Sequence, residues 1–159
     1  LLGLIDQREV VSATYSELDK GFTELTLDEG ASLSKFEFLE DGAEYRETIA
    51  AKDGAPTVAH ELSFTLERMD ADTTAAIEAI IEASRSGLIA VVVTINGDAL
   101  LLGYSQEFGK ERPLRIASAQ ATTGRLLSET TSETVTLRSE DVSNARPLLD
   151  DLNNLFSKI

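Results

Sequence analysis

The residues whose types and spacing could do chemistry are few. Asp70 and Asp72 stand two apart and resemble a pair of carboxylates that share general acid and base work. They also precede a helical pattern, where a short carboxylate caps unpaired first-turn amides through one local hydrogen bond. Glu129 and Glu133 form a second pair, inside the polar run Ser128–Glu133, which reads as a solvated loop tip. A general acid needs burial to raise its pKa, and no sequence feature marks these carboxylates as buried. His60, beside Glu61, is the one histidine of the chain. A catalytic histidine needs an orienting carboxylate and a nucleophile, and no motif marks either, so His60 reads as a structural or surface residue. With no cysteine and one histidine, disulfides, thiolate catalysis, Cys-ligated zinc and multi-His metal sites are excluded. Gly97, Gly103 and Gly109 match neither nucleotide-binding fingerprint, and no calcium-loop pattern occurs. The expectation is a non-enzyme with no catalytic residue, no cofactor and no metal.

Charge is the less ordinary feature. The 159 residues carry 28 acids against 14 bases, a formal charge of −14. That balance argues against a nucleic-acid clamp or a binder of anionic membranes, both of which need clustered Lys and Arg. The longest apolar run, Leu88–Ile95, is too short to span a bilayer, and no signal peptide is visible, although the chain opens at Leu1 rather than Met. Composition therefore points to a soluble, acidic domain of a reducing compartment. The charge is uneven. Residues 1–53 hold 13 acids and 5 bases, a net of −8, whereas residues 107–125 hold Glu107 and Glu111 against Lys110, Arg112, Arg115 and Arg125, a net of +2. A basic strip on an acidic chain reads either as a solvated loop or as one half of a head-to-tail contact. Unlike patches on one protomer generate rings or open helices rather than two-fold dimers.

The elements that must position these residues follow from hydrophobic period. With 42% apolar residues the chain can build a core, and its length suits one domain over 1–159. Val10–Tyr15 is β-prone, and Asp28–Glu29–Gly30 reads as a turn. Ser32–Leu39 and Ala43–Lys52 flank Asp41–Gly42, a two-residue hairpin signal. Together they predict a projecting acidic hairpin near 32–52 that carries Glu37, Glu40, Asp41, Glu44 and Glu47. Val58–Met69 alternates, with Leu62, Phe64 and Leu66 on one face, as a half-buried strand does. Ile77, Ile80, Ile81 and Ser84 fall at helical spacing, with Arg85 in the last turn and Gly87 as the stop. Leu88–Ile95 predicts a strand buried on both faces, joined by a type I′ turn at Asn96–Gly97 to Ala99–Ser105. Leu114–Ala121 and Leu126–Leu137 are two further strands. Leu148, Leu149, Leu152, Leu155, Phe156 and Ile159 repeat at helical spacing, so a C-terminal helix is expected near 146–158, with Pro147 in its first turn. The predicted class is α+β, mainly β: an antiparallel β-sandwich or barrel of about seven strands with one flanking helix and a C-terminal helix.

From Val58 to Leu148 the order of pieces is His60–Glu61–Leu62–Ser63–Phe64–Thr65–Leu66, a helix, Ser86–Gly87–Leu88, an apolar strand, Asn96–Gly97, Leu102–Gly103–Tyr104–Ser105, Arg112–Pro113–Leu114, then Thr123–Gly124 and a Thr-rich strand. This order resembles virion proteins of tailed bacteriophages, most of all the tail tube (major tail) proteins. The resemblance implies a β-sandwich or barrel with one flanking helix and a long hairpin or loop used in ring contacts. It also implies a ring-forming homo-oligomer, hexameric, that meets other phage tail proteins. No catalytic residue carries over. The tail tube conducts DNA without specific binding, and carboxylates along such a lumen would repel phosphates.

The reading that results is a non-enzymatic structural protein of a phage tail, located in the virion and assembled in the host cytoplasm, forming stacked rings around a DNA-conducting channel. The candidate subunit interface comprises Glu40, Asp41, Gly42 and Glu44 of the acidic hairpin and Lys110, Arg112, Arg115 and Arg125 of the basic strip. Alternatives are another head–tail connector, a tail terminator or a baseplate subunit. A soluble β-barrel binding module with an internal pocket is the alternative from a different class.

Overall fold

The computed structural model describes residues 1–38, 42–67, 71–123 and 131–156. It is mainly β, with strands β1 (Leu2–Asp6), β2 (Val10–Ser16), β3 (Gly21–Leu27), β4 (Ser34–Phe36), β5 (Ala43–Lys52) and β6 (Ala55–Glu67) preceding helix α1 (Ala71–Ser86). After it come β7 (Leu88–Val93), β8 (Ala99–Leu102), β9 (Arg115–Thr122), β10 (Ser132–Asp141), the two-residue β11 (Arg146–Pro147) and one helical turn, α2 (Leu152–Leu155). All strand pairs are antiparallel. They form a five-stranded sheet in the order β11-β8-β7-β1-β4, a four-stranded sheet in the order β5-β6-β10-β9, and the β2–β3 hairpin. The sheets pack as a sandwich and none closes into a barrel.

The five-stranded sheet is the middle layer, as its sequence requires. β7 is apolar at successive positions because both its faces are covered. Leu88 and Ala90 enter a core shared with Leu62, Phe64, Val135 and Leu137 of the four-stranded sheet and Ile77 and Ile80 of α1. Ile89 and Val91 enter a second core with Phe22 and Leu25 of the β2–β3 hairpin and Leu148 and Leu155 of the C-terminal arm. In β6 the alternation is regular: Val58, His60, Leu62 and Phe64 are buried, and Thr57, Ala59, Glu61 and Ser63 face outward. A period of two on a half-covered sheet has this outcome.

Helix α1 buries Ile77 and Ile80, while Ile81 is 42% exposed, so the apolar stripe is narrower than the spacing predicted. A turn advances 3.6 residues, and the position four after Ile77 falls on the rim of the stripe. Gly87 ends the helix with φ +117°, its N–H donating to Ala83 O. Asp70 lies outside the described residues, and Asp72 is in the first turn.

Three sequence expectations are corrected. The hairpin near 32–52 does not pair with itself: β4 pairs with β1, Leu2 opposite Phe36, and β5 pairs with β6, Tyr45 opposite Leu62. The two halves therefore belong to different sheets. The tight turn is instead Asp53–Gly54 between Lys52 and Ala55, where both residues take positive φ (53° and 79°), the requirement of a type I′ turn. At the β7–β8 connection only Gly97 has positive φ, and Thr94 N donates to Asp98 O across a three-residue loop, so the expected type I′ pair at Asn96–Gly97 is replaced by a longer turn. The C-terminal helix near 146–158 reduces to the single turn Leu152–Leu155, with residues 157–159 outside the description. Residues 146–147 are extended because they extend the sheet beside β8, and a residue before proline disfavours helix. Leu148 and Leu155 are buried one by one as this arm crosses the second core, not as one helix face.

Candidate assembly surface

The four-stranded sheet has one face on the core and one face open. Its open face is built by the outward positions of each strand, set by the register. Glu44, Arg46, Thr48 and Ala50 of β5 lie opposite Ser63, Glu61, Ala59 and Thr57 of β6. Thr134, Thr136, Arg138 and Glu140 of β10 lie opposite Thr65, Ser63, Glu61 and Ala59 on the other side of β6. All are small, hydroxylated or charged. Cross-strand hydroxyl pairs knit them together: Ser63 Oγ and Thr136 Oγ1 are 2.9 Å apart, as are Thr65 Oγ1 and Thr134 Oγ1. Its charges pair locally, Arg46 with Glu44 at 3.1 Å and Arg138 with Glu140 at 3.3 Å.

The sheet ends in two long strands. β5 has ten residues and β9 has eight, and among the described residues neither has a partner strand on its outer edge. β9 is exposed along almost its whole length, with Ile116 alone half-buried, and Ile49 of β5 is 62% exposed. Free edges of this length present rows of unpaired N–H and C=O groups to any complementary strand.

The sequence-predicted interface residues divide between these edges. Glu44 lies on β5, and Gly42 stands before it with its carbonyl accepting from Thr65 N at 2.8 Å. Arg115 opens β9, at the opposite edge of the same sheet, with Lys110 and Arg112 in the loop before it. Glu40, Asp41 and Arg125 lie outside the described residues. The basic residues also serve their own chain. Lys110 Nζ donates to Val10 O at 2.6 Å, and Arg115 Nη1 donates to Arg85 O at 2.8 Å, placing a cation on the last carbonyls of α1. The Arg112 guanidinium lies 4.9 Å over the Phe108 ring. Among the described residues, Glu44 on β5 and Arg115 on β9 therefore stand at opposite edges of one sheet.

The other candidate chemistry resolves differently. Glu133 lies in β10, not at a loop tip, and Glu129 is outside the described residues. His60 is buried, 4% exposed, on the core face of β6. Its Nε2 lies 3.0 Å from Ser143 O and its Nδ1 2.5 Å from Tyr45 Oη, which donates to Glu47 Oε1 at 2.7 Å. The same Glu47 oxygen accepts from Ala145 N at 2.7 Å. Burial first, then the bond to the Glu47 carboxylate, pushes the Tyr45 hydroxyl well above the usual tyrosine range. Sequence reading missed this group because Tyr45 and Glu47 precede His60 by more than a dozen residues, and only the β5–β6 register brings them beside it. Among the described residues no serine, threonine or lysine side chain is hydrogen-bonded to His60 as a nucleophile. Among the described residues no group of three His, Asp or Glu could hold a metal ion. No helix of the described residues is long and apolar enough to cross a membrane.

No family model, curated protein or solved structure matches the chain.

Proposed function

We propose that the chain is a non-enzymatic structural subunit that joins copies of itself, edge to edge, into rings that stack as a phage tail tube. The observation that carries this reading is the four-stranded sheet: core on one face, a polar open face on the other, and a long free edge at each side. Pairing β5 of one copy with β9 of the next makes a heterologous contact, which closes into a ring when the rotation permits. The open faces of successive copies then form one continuous wall. Its threonines, serines and internally paired charges offer no row of cations to hold phosphates, so DNA can pass along such a wall without adhering. Glu44, Glu61 and Glu140 stand among Arg46 and Arg138 on this wall, so its carboxylates are offset rather than massed. The hexameric order and the contacts with other tail proteins belong to the same proposal, and rest on the resemblance of residues 58–148 to tail tube proteins.

The chain has no cysteine, which makes the test direct. Thr48→Cys on β5 combined with Ser118→Cys or Gln120→Cys on β9 should yield, on oxidation, a ladder of covalent oligomers, whereas each single variant should stop at dimers. Electron microscopy of the wild type should show rings or tubes with a central channel. Monomers at every concentration and salt level, with no ladder, would remove the proposal.

A further inference from the structure

The hydrogen bonds of His60 impose a count of protons. Nε2 faces the Ser143 carbonyl at 3.0 Å, and a carbonyl only accepts, so Nε2 carries a hydrogen. Tyr45 Oη lies 2.7 Å from Glu47 Oε1 and 2.5 Å from His60 Nδ1. At those distances each gap must contain a hydrogen, because two bare lone pairs would repel. The phenol has one hydrogen to give. Glu47 Oε1 already accepts from Ala145 N, so it is the natural recipient of the phenol hydrogen. Nδ1 must then supply the other. The chain Ser143–His60–Tyr45–Glu47 therefore holds three hydrogens, whereas a neutral imidazole, a phenol and a carboxylate together bring two.

We propose that this buried chain is a proton-dependent latch, with both ring nitrogens of His60 bearing hydrogen at neutral pH, that fastens the C-terminal arm to the four-stranded sheet. Both hooks of the latch are on the arm. Ser143 O takes the imidazole hydrogen and Ala145 N gives its own to Glu47, immediately before β11 crosses to the five-stranded sheet. Loss of one hydrogen leaves the tyrosine unable to serve both neighbours.

The surroundings set the balance. From β5, Tyr45 and Glu47 face the imidazole, with Glu47 Oε1 at 3.8 Å from Nδ1 as its ion-pair partner. From β10, Ser139 is opposite His60, and Asp141 borders the same small cavity. The loop after β8 contributes Tyr104 and Arg112, and the arm contributes Arg146. The two guanidiniums oppose a charged imidazole and the two carboxylates favour it. Asp141 is partly occupied, its Oδ1 accepting from Ser105 Oγ at 2.9 Å and from Val142 N at 2.7 Å, so Glu47 decides. The latch is fastened while the chain of groups carries its third hydrogen and opens when rising pH removes it.

The single histidine makes the state observable. In the full-length chain at pH 7, nitrogen NMR of the imidazole should show hydrogen on both ring nitrogens. In Tyr45→Phe, which keeps the ring and removes the link, one nitrogen should be bare at that pH. Amide protection at residues 143–145, corrected for intrinsic exchange, should fall about tenfold between pH 6 and pH 9, about the value of one net hydrogen bond, and should be low and nearly flat in Tyr45→Phe. A bare ring nitrogen in the wild type at pH 7, or Tyr45→Phe behaving as wild type in both readouts, would overturn the proposal.

Discussion

At the scale of single residues, Asp6 shows how one side chain can tie the end of a strand to a helix. Its carboxylate accepts from the Arg8 guanidinium at 2.7 Å and from the Arg8 amide at 2.8 Å, and the Ser86 hydroxyl at the end of α1 reaches both its oxygens at 3.1 Å. Beside them, Gln7 Nε2 donates to the Ser86 carbonyl. The Arg8 side chain holds Asp6 below the usual carboxylate range, against the opposing effect of burial. A carboxyl whose folded pKa is depressed adds stability above its unfolded value and loses it as pH falls through the folded one. Urea midpoints of wild type and Asp6→Asn should therefore differ above about pH 4, the ordinary carboxylate value, and converge in stronger acid. A constant gap down to pH 2 would assign the effect to shape rather than charge. Nothing in the sequence marks Asp6, because Arg8 is a common neighbour and Ser86 is brought to it only by the pairing of β1 with β7.

At the scale of elements, α1 gives a comparison within one helix. Ile80 is 5% exposed and Ile81 is 42% exposed, although both fit the helical spacing. Ile80→Ala should cost about 2–5 kcal/mol, the range for a buried large-to-small change. Ile81→Ala should cost about 0.5 kcal/mol or less, as surface changes do. Thermal or urea unfolding of the two variants checks this directly, and equal losses would place both on the sheet. Elements with a strong period of their own were legible: β6 by its alternation from Val58 to Glu67, β7 by its apolar run Leu88–Val93, α1 by its isoleucines. The pairing of Ser32–Leu39 was not, since Asp41–Gly42 and Asp53–Gly54 are the same turn signal and only the competition for β1 and β6 separates them. The C-terminal arm deceived for another reason. Leu148, Leu152, Leu155 and Phe156 repeat as a helix face would, yet Leu148 N bonds Ala99 O of β8 and Leu33 N, just before β4, bonds Leu155 O, contacts with distant segments that no local pattern encodes. The basic members of the candidate surface were legible as a charge asymmetry. The two free edges were not, because strand order is a property of the whole sheet.

At the scale of the whole molecule, charge should govern association. Copies of a −14 chain repel, while contacts shorter than the screening length of about 8 Å keep their attraction. Exposed pairs are individually weak, about 0–1 kcal/mol, but a ring of the proposed kind would repeat each one. The double variant Arg112→Glu, Arg115→Glu should sediment as smaller species than wild type across a salt series. Arg115 also holds the last carbonyls of α1, so a melting curve of the double variant separates lost assembly from lost fold. Unchanged oligomer size at every salt level would exclude the basic strip from the contact. The middle sheet carries a different consequence. Because Leu88 and Ala90 of β7 belong to one core while Ile89 and Val91 belong to the other, neither core can come apart and leave β7 in place. The two halves of the protein share a wall, so heating should find no intermediate with one half molten: a single calorimetric transition, with calorimetric and van't Hoff enthalpies equal in the dissociated subunit. Ile80→Ala on one side of that wall should lower the melting temperature reported by Tyr15 and Tyr104, which pack on the other, as much as that reported by Tyr45.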